Sequence, residues 1–401
     1  LSQSLSTLRS AASDESLLRV VARLMKTIHT NAVGVAIVGL GRAGKIHLNV
    51  LQDRTDVQLL YLVDKAHDHN IHDMPQGATT TDDINKPLND ERVQIVIVAT
   101  PTQTHASLVL DALAAGKHVF AEKPLTCDET EIPTMFEMAA KQGRCLFTAF
   151  NRRHDPRILA AREKLRSGDM GKVFSATRVS RDYPYPPSAY IATCGNLFKD
   201  CVVHDLDYLL WILDDQPTQL VARASTSNDQ RSMGAWENSE VRLTLRSGAP
   251  ATRVNSPTSP SPYDHRPDVY CERGIVQVTN PLEQGLTFAD RFDDSYHAQM
   301  GEFLDRVRAT DAGDCSQMTN MSQERTDYLN KVLNACETSV ATGSTILLAD
   351  DVALDTSTGP TVCRSTSNSS TRGEASEPNG GGARGSDEGT TTDRVTVRCR
   401  P

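Results

Sequence analysis

What the 401-residue chain lacks narrows the classes of protein to which it can belong. No apolar stretch approaches the roughly 18 residues that a membrane span needs. The net charge is −9, whereas a nucleic-acid-binding surface would be basic. We therefore expect neither membrane nor nucleic acid as a partner. The nine cysteines contain no C-x-x-C pair, which disfavours a disulfide framework or a zinc site. We expect reduced thiols, a cytoplasmic location and no bound metal.

Both ends of the chain differ in composition from its middle. Residues 355–401 consist mostly of Ser, Thr, Gly, Asp and Arg without hydrophobic periodicity, so we expect a disordered tail. Residues 1–32 form an N-terminal extension. Its apolar residues at helical spacing and its arginines are compatible with an organelle import peptide, but Asp14 and Glu15 disfavour that interpretation because such peptides contain few acidic residues.

The middle of the chain shows two successive patterns. Over residues 33–149, short apolar runs alternate with helical patterns, which predicts a doubly wound parallel sheet of the Rossmann type. Over residues 150–350 the pattern predicts an α+β domain with a large, mostly antiparallel open sheet. Its strands are expected at residues 172–182, 218–226, 239–254 and 268–280, and its helices at residues 205–213, 295–308 and 323–341.

A glycine-rich turn, G-L-G-R-A-G, follows the first apolar run and opens a helix. In such turns the first glycine (Gly39) permits the tight turn, the second (Gly41) lets the backbone approach a pyrophosphate, and the third (Gly44) lets the helix pack closely. Asp64 ends the next strand, where it would accept hydrogen bonds from a ribose and repel a 2′-phosphate. NAD is thus the predicted cofactor, with NADP left open by Lys65 and a glycine turn without ligand as the alternative.

Lys123, Asp200 and His204 are the candidates for chemistry. Lys123 follows a strand that should end at the edge where ligands bind, and its ammonium could stabilise a developing oxyanion. The Lys123–Pro124 bond could be cis. Asp200 and His204 are four residues apart, so a helix would place the carboxylate beside the imidazole and fix its tautomer. This pattern favours oxidation of an alcohol, with His204 taking the proton. The alternatives are a surface lysine, a helix-capping aspartate and a packed histidine.

Several motifs in this order resemble those of the Gfo/Idh/MocA oxidoreductases, closest to the inositol 2-dehydrogenase-like members. They are G-L-G-R-A-G-K-I-H at residues 39–47, A-T-P-T-Q-T-H at 99–105, A-E-K-P-L at 121–125, N-R-R-H-D at 151–155 and D-x-x-x-H-D-x-D at 200–207. The resemblance implies catalytic roles for Lys123, Asp200 and His204. It also implies a homodimer or homotetramer formed through the sheet of the second domain.

The resemblance further implies two sets of binding residues. The cofactor would contact Gly39, Leu40, Gly41, Arg42, Ala43, Gly44, Asp64, Thr100, Pro101, His105, Glu122, Lys123 and Asn151. The substrate would contact Lys123, Asn151, Arg152, Asp182, Asp207 and Tyr263.

The leading hypothesis is an NAD-dependent dehydrogenase that oxidises a secondary hydroxyl of a cyclic polyol or sugar. The alternatives are an NADP-dependent aldose or dihydrodiol dehydrogenase and a non-catalytic NAD(H)-binding regulator. The family's usual Gly-Gly and Tyr-Gly pairs are replaced by Gly195-Asn196 and Ser261-Pro262. These departures leave the choice of substrate open.

Overall fold

A computed structural model describes residues 32–65, 75–126, 128–182, 197–226, 238–256, 263–279 and 287–348. These residues form two sheets that are covered by helices. Almost all of the expected N-terminal extension and all of the expected C-terminal tail lie outside the described residues.

The first sheet contains six parallel strands in the order β3-β2-β1-β4-β5-β6. Alternate residues of its central strand enter different cores: Val35 and Ile37 pack on one face, Ala36 and Val38 on the other. Both faces are therefore buried, and the predicted doubly wound sheet is confirmed. Its strands are β1 Val33–Val38, β2 Val57–Val63, β3 Thr79–Thr81, β4 Ile95–Val98, β5 His118–Glu122 and β6 Leu146–Ala149.

The order of the strands determines where this sheet can hold a ligand. Strand β1 lies between β2 and β4, so the chain adds β2 and β3 on one side of β1 and then β4, β5 and β6 on the other. A crevice opens at such a switch point, and ligands bind there in open parallel sheets. The helices of this half are α1 Arg42–Gln52, α2 Asn85–Asn89, α3 His105–Ala114 and α4 Ile132–Gln142.

The second sheet contains seven strands in the order β12-β11-β7-β10-β9-β8-β13. Only the β7–β10 pair is parallel, which confirms the mostly antiparallel sheet. The strands are β7 Val173–Arg181, β8 Pro217–Ser225, β9 Asn238–Leu245, β10 Pro250–Ser256, β11 Asp264–Cys271, β12 Gly274–Gln277 and β13 Ile346–Leu347.

Our prediction of one strand at residues 239–254 and one at residues 268–280 is wrong. Each is a hairpin, formed by β9 with β10 and by β11 with β12. Gly248 and Gly274 adopt φ values of 87° and 140° at the two turns, a backbone region that glycine enters at little cost. The turns are Arg246-Ser247-Gly248 and Glu272-Arg273-Gly274, so three consecutive non-apolar residues ending in glycine were the signal for each.

The helices of the second half are α5 Pro156–Arg166, α6 Val203–Leu213, α7 Phe288–Asp311 and α8 Gln323–Thr342. A π-helical turn, Phe198–Val202, leads directly into α6. Helices α5, α6 and α8 cover one face of the second sheet, whereas α7 packs against the first sheet. The uncovered face presents Val254, Tyr270 and Ile275, whose exposed fractions are 41%, 40% and 47%.

The state of the cysteines differs in part from our expectation. Cys145, Cys201, Cys271 and Cys336 are free thiols. Cys315 is disulfide-bonded, so the expectation of reduced thiols is wrong for that residue. Among the helices that the structure describes, none is both long and apolar enough to cross a membrane.

Candidate active site

The glycine-rich turn has the shape of a phosphate cradle. A Cβ atom added to Gly39 would collide with the backbone of residue 99, and one added to Gly44 would collide with the carbonyl oxygen of Gly39. At Gly41 an added Cβ would meet no described atom within 4 Å. Two of the glycines thus allow the turn to pack, while Gly41 leaves open space at the start of helix α1. The free N–H groups of a helix start favour a phosphate there.

Asp64 supports this turn from the end of β2. Its Oδ2 accepts a hydrogen bond of 2.6 Å from the backbone N–H of Leu40. The carboxylate therefore lies beside the turn that would hold the cofactor, as the sequence predicted. Arg42, at the first position of α1, lies over the ring of Phe288 with 5.0 Å between the guanidinium carbon and the ring centroid. This contact joins the cofactor turn to helix α7.

Lys123 directly follows β5 of the first sheet, and Asp200 lies in the π-helical turn before α6. The two side chains meet in this site. The Nζ atom of Lys123 donates to the backbone oxygen of Asp200 at 2.7 Å and to its Oδ1 at 3.1 Å. Their side chains are 13% and 14% exposed, so the pair is shielded but not sealed from solvent. The Lys123–Pro124 peptide bond is cis, as the sequence suggested. The structure thus brings these two candidate residues together, in a pairing that the sequence did not predict.

His204 lies one turn further along, at the start of α6. Its Nδ1 is buried and has no hydrogen-bond partner among the described residues. Burial, with the nearby Arg152 and Lys123 cations, holds the pKa of His204 well below its ordinary value. His204 is therefore neutral near pH 7 and can accept a proton.

The expected contact between the Asp200 carboxylate and Nδ1 of His204 is absent. The carboxylate lies on Lys123 instead. Asp200 lies in the π-helical turn at Phe198–Val202, and both its backbone oxygen and its Oδ1 accept from Lys123. Asp200 accordingly orients the lysine.

His105, expected at the cofactor, contacts the backbone of two loops. Its side chain is buried, and its two ring nitrogens lie 2.8 Å from the carbonyl oxygen of Thr100 and 2.9 Å from that of Pro124. Both nitrogens therefore face backbone carbonyl oxygens, and the neutral ring can donate its one N–H to either of them. His105 ties the loop after β4, which includes Pro101, to the loop that carries Lys123.

Glu122 connects the segment that carries Lys123 to helix α1. Its Oε1 lies 2.7 Å from Nε2 of the buried His47 on helix α1. Its Oε2 accepts from the backbone N–H of Lys123 at 3.2 Å. The segment that carries the lysine is thus connected on both sides to elements of the cofactor turn. The sequence places His47 at the end of the motif at residues 39–47 but does not indicate its contact with Glu122.

The predicted residues at the start of the second half are firmly packed. Asn151 donates to the Oγ of Ser295 on α7 at 3.1 Å. Arg152 donates to Asp205 at 2.9 Å and lies over the ring of Phe292. Both therefore connect the site to the helices around it.

Asp207 is not brought into this group. It is 1% exposed, and its Oδ2 accepts from Nε of Arg153 at 2.8 Å. Arg325 lies close to the same carboxylate. This buried ion pair indicates a packing role, and the structure gives no support to the expected substrate contact.

Asp182 and Tyr263 lie on either side of His265, a residue that sequence reasoning did not single out. Nε2 of His265 is 3.1 Å from Oδ1 of Asp182. The rings of Tyr263 and His265 stack with centroids 4.1 Å apart and planes at 7°. The side chain of Asp182 is partly exposed, and the loss of solvent on its buried side raises the pKa of the carboxyl.

Asp205 forms the centre of a second group that sequence reasoning missed. Its carboxylate accepts from Arg152, from Arg178 at 2.7 Å and from Arg253 at 2.8 Å, and all four side chains are buried. Arg178 and Arg253 are direct neighbours on β7 and β10. Their inward positions in strands of alternating pattern are the signal that could have revealed them.

No group of three or more His, Cys, Asp or Glu side chains suited to a metal ion occurs in the described part of the chain.

Comparison with known proteins agrees with this geometry. Residues 33–150 match the family described as "Oxidoreductase family, NAD-binding Rossmann fold", and residues 158–277 match the GFO/IDH/MocA C-terminal domain. The fold and the site thus define an NAD-binding oxidoreductase of the inositol dehydrogenase type. The chain belongs to the GFO/IDH/MocA family.

Among its relatives is the myo-inositol 2-dehydrogenase of Thermotoga maritima, which is 30% identical over 68% of this chain and 83% of the relative. The scyllo-inositol 2-dehydrogenase (NAD(+)) of Bacillus subtilis is 27% identical over 69% of this chain and 86% of its own length. The solved myo-inositol 2-dehydrogenase from Lactobacillus plantarum superposes with a TM-score of 0.70 at 22% identity, covering 79% of this chain and all of that one. That structural likeness concerns the fold alone.

Proposed function

We propose that this protein is an NAD-dependent dehydrogenase that oxidises a secondary hydroxyl of a cyclic polyol or sugar, with an inositol as the first candidate. The observation that carries the proposal is the Lys123–Asp200 pair with His204 one turn away, located where the loop after β5 meets the π-helical turn. The names of the relatives support the choice of an inositol.

The residues of the chain would divide the chemistry as follows. The ammonium of Lys123 donates a hydrogen bond to the hydroxyl oxygen and stabilises the charge that develops there. Asp200 fixes the orientation of the Lys123 side chain. His204, neutral because of its lowered pKa, accepts the proton of the hydroxyl. When NAD is bound, its nicotinamide ring supplies the acceptor for the hydride that leaves the carbon.

NAD is the proposed cofactor. The open space at Gly41 and the carboxylate of Asp64 beside Leu40 fit a pyrophosphate and an unmodified ribose. Residues of the turn, of the Thr100-Pro101 loop and of the segment at Glu122 and Lys123 would hold it, with Asn151 from the second half. His105 would act by positioning two of these loops.

The substrate would lie between Lys123 and the end of the second sheet, in contact with Asn151, Arg152, Asp182 and Tyr263. Asp207 is left out of this group because Arg153 occupies it. We further propose a homo-oligomer that covers the exposed sheet face with Val254, Tyr270 and Ile275. Light scattering of the full chain and of Tyr270→Glu tests this interface, since a charge should dissociate the assembly.

The proposal is tested by the formation of NADH or NADPH with myo-inositol, scyllo-inositol, glucose and xylose, with each cofactor in turn. We expect turnover of an inositol with NAD and its loss in Lys123→Met. Binding of NAD without turnover of any of these compounds would contradict the proposed substrate class. Faster turnover of an aldose with NADP would replace it by the other dehydrogenase hypothesis.

A further inference from the structure

His265 is a buried residue that contacts Arg178 and Ser180 of the neighbouring strand and Asp182, which follows that strand. It lies on β11 opposite Ser180 of β7, and it is 4% exposed. Nδ1 is 2.7 Å from Nη2 of Arg178. Nε2 is 3.1 Å from Oδ1 of Asp182 and 3.1 Å from Oγ of Ser180.

The partners of His265 determine which of its nitrogens carries the proton. A guanidinium has only donors, so Nδ1 must accept from Arg178. A neutral imidazole then has its hydrogen on Nε2, between the Oδ1 of Asp182 and the Oγ of Ser180 at 3.1 Å each, and the charged carboxylate is the stronger acceptor. Burial and the Arg178 cation hold the pKa of His265 well below its ordinary value, so the ring stays neutral. The donors run in one direction, from Arg178 through His265 to Asp182.

The origin of this chain of hydrogen bonds is fixed. Arg178 is fully buried, donates to Asp205 at 2.7 Å and lies over the ring of Tyr208. Arg253 and Arg152 hold Asp205 in turn. Arg178 therefore has little freedom to turn away, and the imidazole has one orientation in which both of its nitrogens are satisfied.

The end of the chain of hydrogen bonds is accessible. The side chain of Asp182 is 28% exposed, against 3% for His265. One carboxylate oxygen accepts from His265, which leaves acceptor capacity on a group that reaches the surface of the site. The same imidazole also stacks on Tyr263. One buried ring thus sets the direction of two side chains of the proposed substrate site.

We propose that His265 is a positioning residue for substrate recognition: it holds Asp182 as the acceptor for a second substrate hydroxyl, distinct from the one that Lys123 and His204 oxidise. The inference rests on the proposed function for its substrate. It deepens that function by requiring a polyol with a free hydroxyl, a hydrogen-bond donor, where the substrate meets Asp182. A substrate with a carboxylate or phosphate there would be repelled.

The kinetic test uses two substitutions of His265. One removes the stacked ring and keeps the hydrogen bonds, and the other keeps a ring and removes the hydrogen bonds. In His265→Gln, the amide oxygen can accept from Arg178 and the amide nitrogen can donate to Asp182, but the stacked ring is lost. In His265→Phe, the ring remains against Tyr263 and both hydrogen bonds are lost. Melting temperature and NAD affinity report whether each variant is folded.

With myo-inositol and NAD, we expect His265→Phe to raise KM about 10-fold or more, because hydrogen bonds to charged groups are worth about 1.5–3 kcal/mol. Its kcat and its Kd for NAD should change less than about 3-fold. His265→Gln should keep KM within about 3-fold of the unaltered protein. A smaller rise in His265→Phe, or equal rises in both variants, would overturn the proposal.

A second measurement does not depend on turnover. Nitrogen-15 NMR of the full chain, with the His265 signals assigned by their loss in His265→Gln, reports which ring nitrogen carries hydrogen at neutral pH. We expect the Nε2–H tautomer; the Nδ1–H tautomer or an imidazolium would overturn the positioning role. If no polyol is turned over while the expected tautomer is found, the proposed function fails and the arrangement of His265 stands.

Discussion

The two sheets differ in where their polar side chains lie: at the strand ends in the first sheet and in the middle of the strands in the second. The interior of the first sheet is apolar at its centre, with Val35 and Ile97 fully buried, and its functional groups follow the strand ends, as Asp64 and Lys123 do. The second sheet carries fully buried arginines in the middle of its strands, at Arg178 and Arg253. The part of the chain around the first sheet therefore forms its proposed cofactor site from backbone geometry. The part around the second sheet orients its side chains with buried charges.

This difference has an energetic consequence. A glycine turn needs space and free N–H groups, both of which the local chain supplies. Three buried arginines around Asp205 depend on one carboxylate, and loss of one partner leaves the others without compensation. We thus expect changes in the first half to act on ligands and changes in the second to act on folding as well.

The largest effect should come from the groups that act on the reacting hydroxyl. In His204→Ala we expect kcat to fall about 10²–10⁴-fold, because no side chain then lies where it can accept the hydroxyl proton of the substrate. The Kd for NAD, measured by calorimetry, should remain unchanged. Near-normal turnover in this variant would show that His204 is a packed histidine.

The next effect tests the buried charges. Replacing Asp205 by Leu should lower the free energy of unfolding by about 3–5 kcal/mol, since three arginines lose their carboxylate. Urea unfolding provides the measurement. The exposed Asp169 is the matched control, because Asp169→Leu should change stability by about 0.5 kcal/mol or less. Equal stability of the two variants would contradict the distinction between the two sheets.

A smaller effect is expected at the cofactor turn. Asp64→Asn removes the charge beside Leu40, so the Kd for NAD should rise about 10-fold while NADP binds relatively better. Calorimetry with both cofactors gives the ratio of the two constants. Lys65→Gln serves as the comparison, and an unchanged ratio in Asp64→Asn would contradict the role given to this carboxylate.

The smallest effect concerns pH. His204 and His265 have lowered pKa values because both are buried. Below about pH 6.5 the unfolded chain binds protons that the native protein does not, so stability falls as the pH decreases further. Each histidine can contribute a slope of up to about 1.4 kcal/mol per pH unit. In His265→Gln the slope between about pH 6.5 and pH 5.5 should be shallower; an identical slope would contradict the neutral state of the buried ring.

Much of the first half could be predicted because its signals are local. The turn at Gly39–Gly44 lies within six consecutive residues, and Asp64 and Lys123 each follow an apolar strand. Strands that are buried on both faces read as continuous apolar runs. The same reasoning located the second sheet but missed the hairpin turns within two of its strands.

The substrate half could be predicted only in part because its contacts are long-range. Nothing near His265 in the sequence indicates Arg178, and nothing near Asp205 indicates Arg253. The expected Asp200–His204 contact was wrong because Asp200 binds Lys123, a partner 77 residues away in the sequence that residue spacing does not indicate. His105 was recognised, but its two backbone partners were not.

The central claim is that a carbon-bound hydrogen of a polyol passes to NAD in the site formed by Lys123, Asp200 and His204. Myo-inositol deuterated at its oxidised carbon tests this directly, with mass spectrometry of the reduced cofactor. We predict NADH that carries one deuterium, formed by the unaltered protein and not by Lys123→Met. Absence of deuterium from the cofactor, or equal transfer by the variant, would contradict the claim.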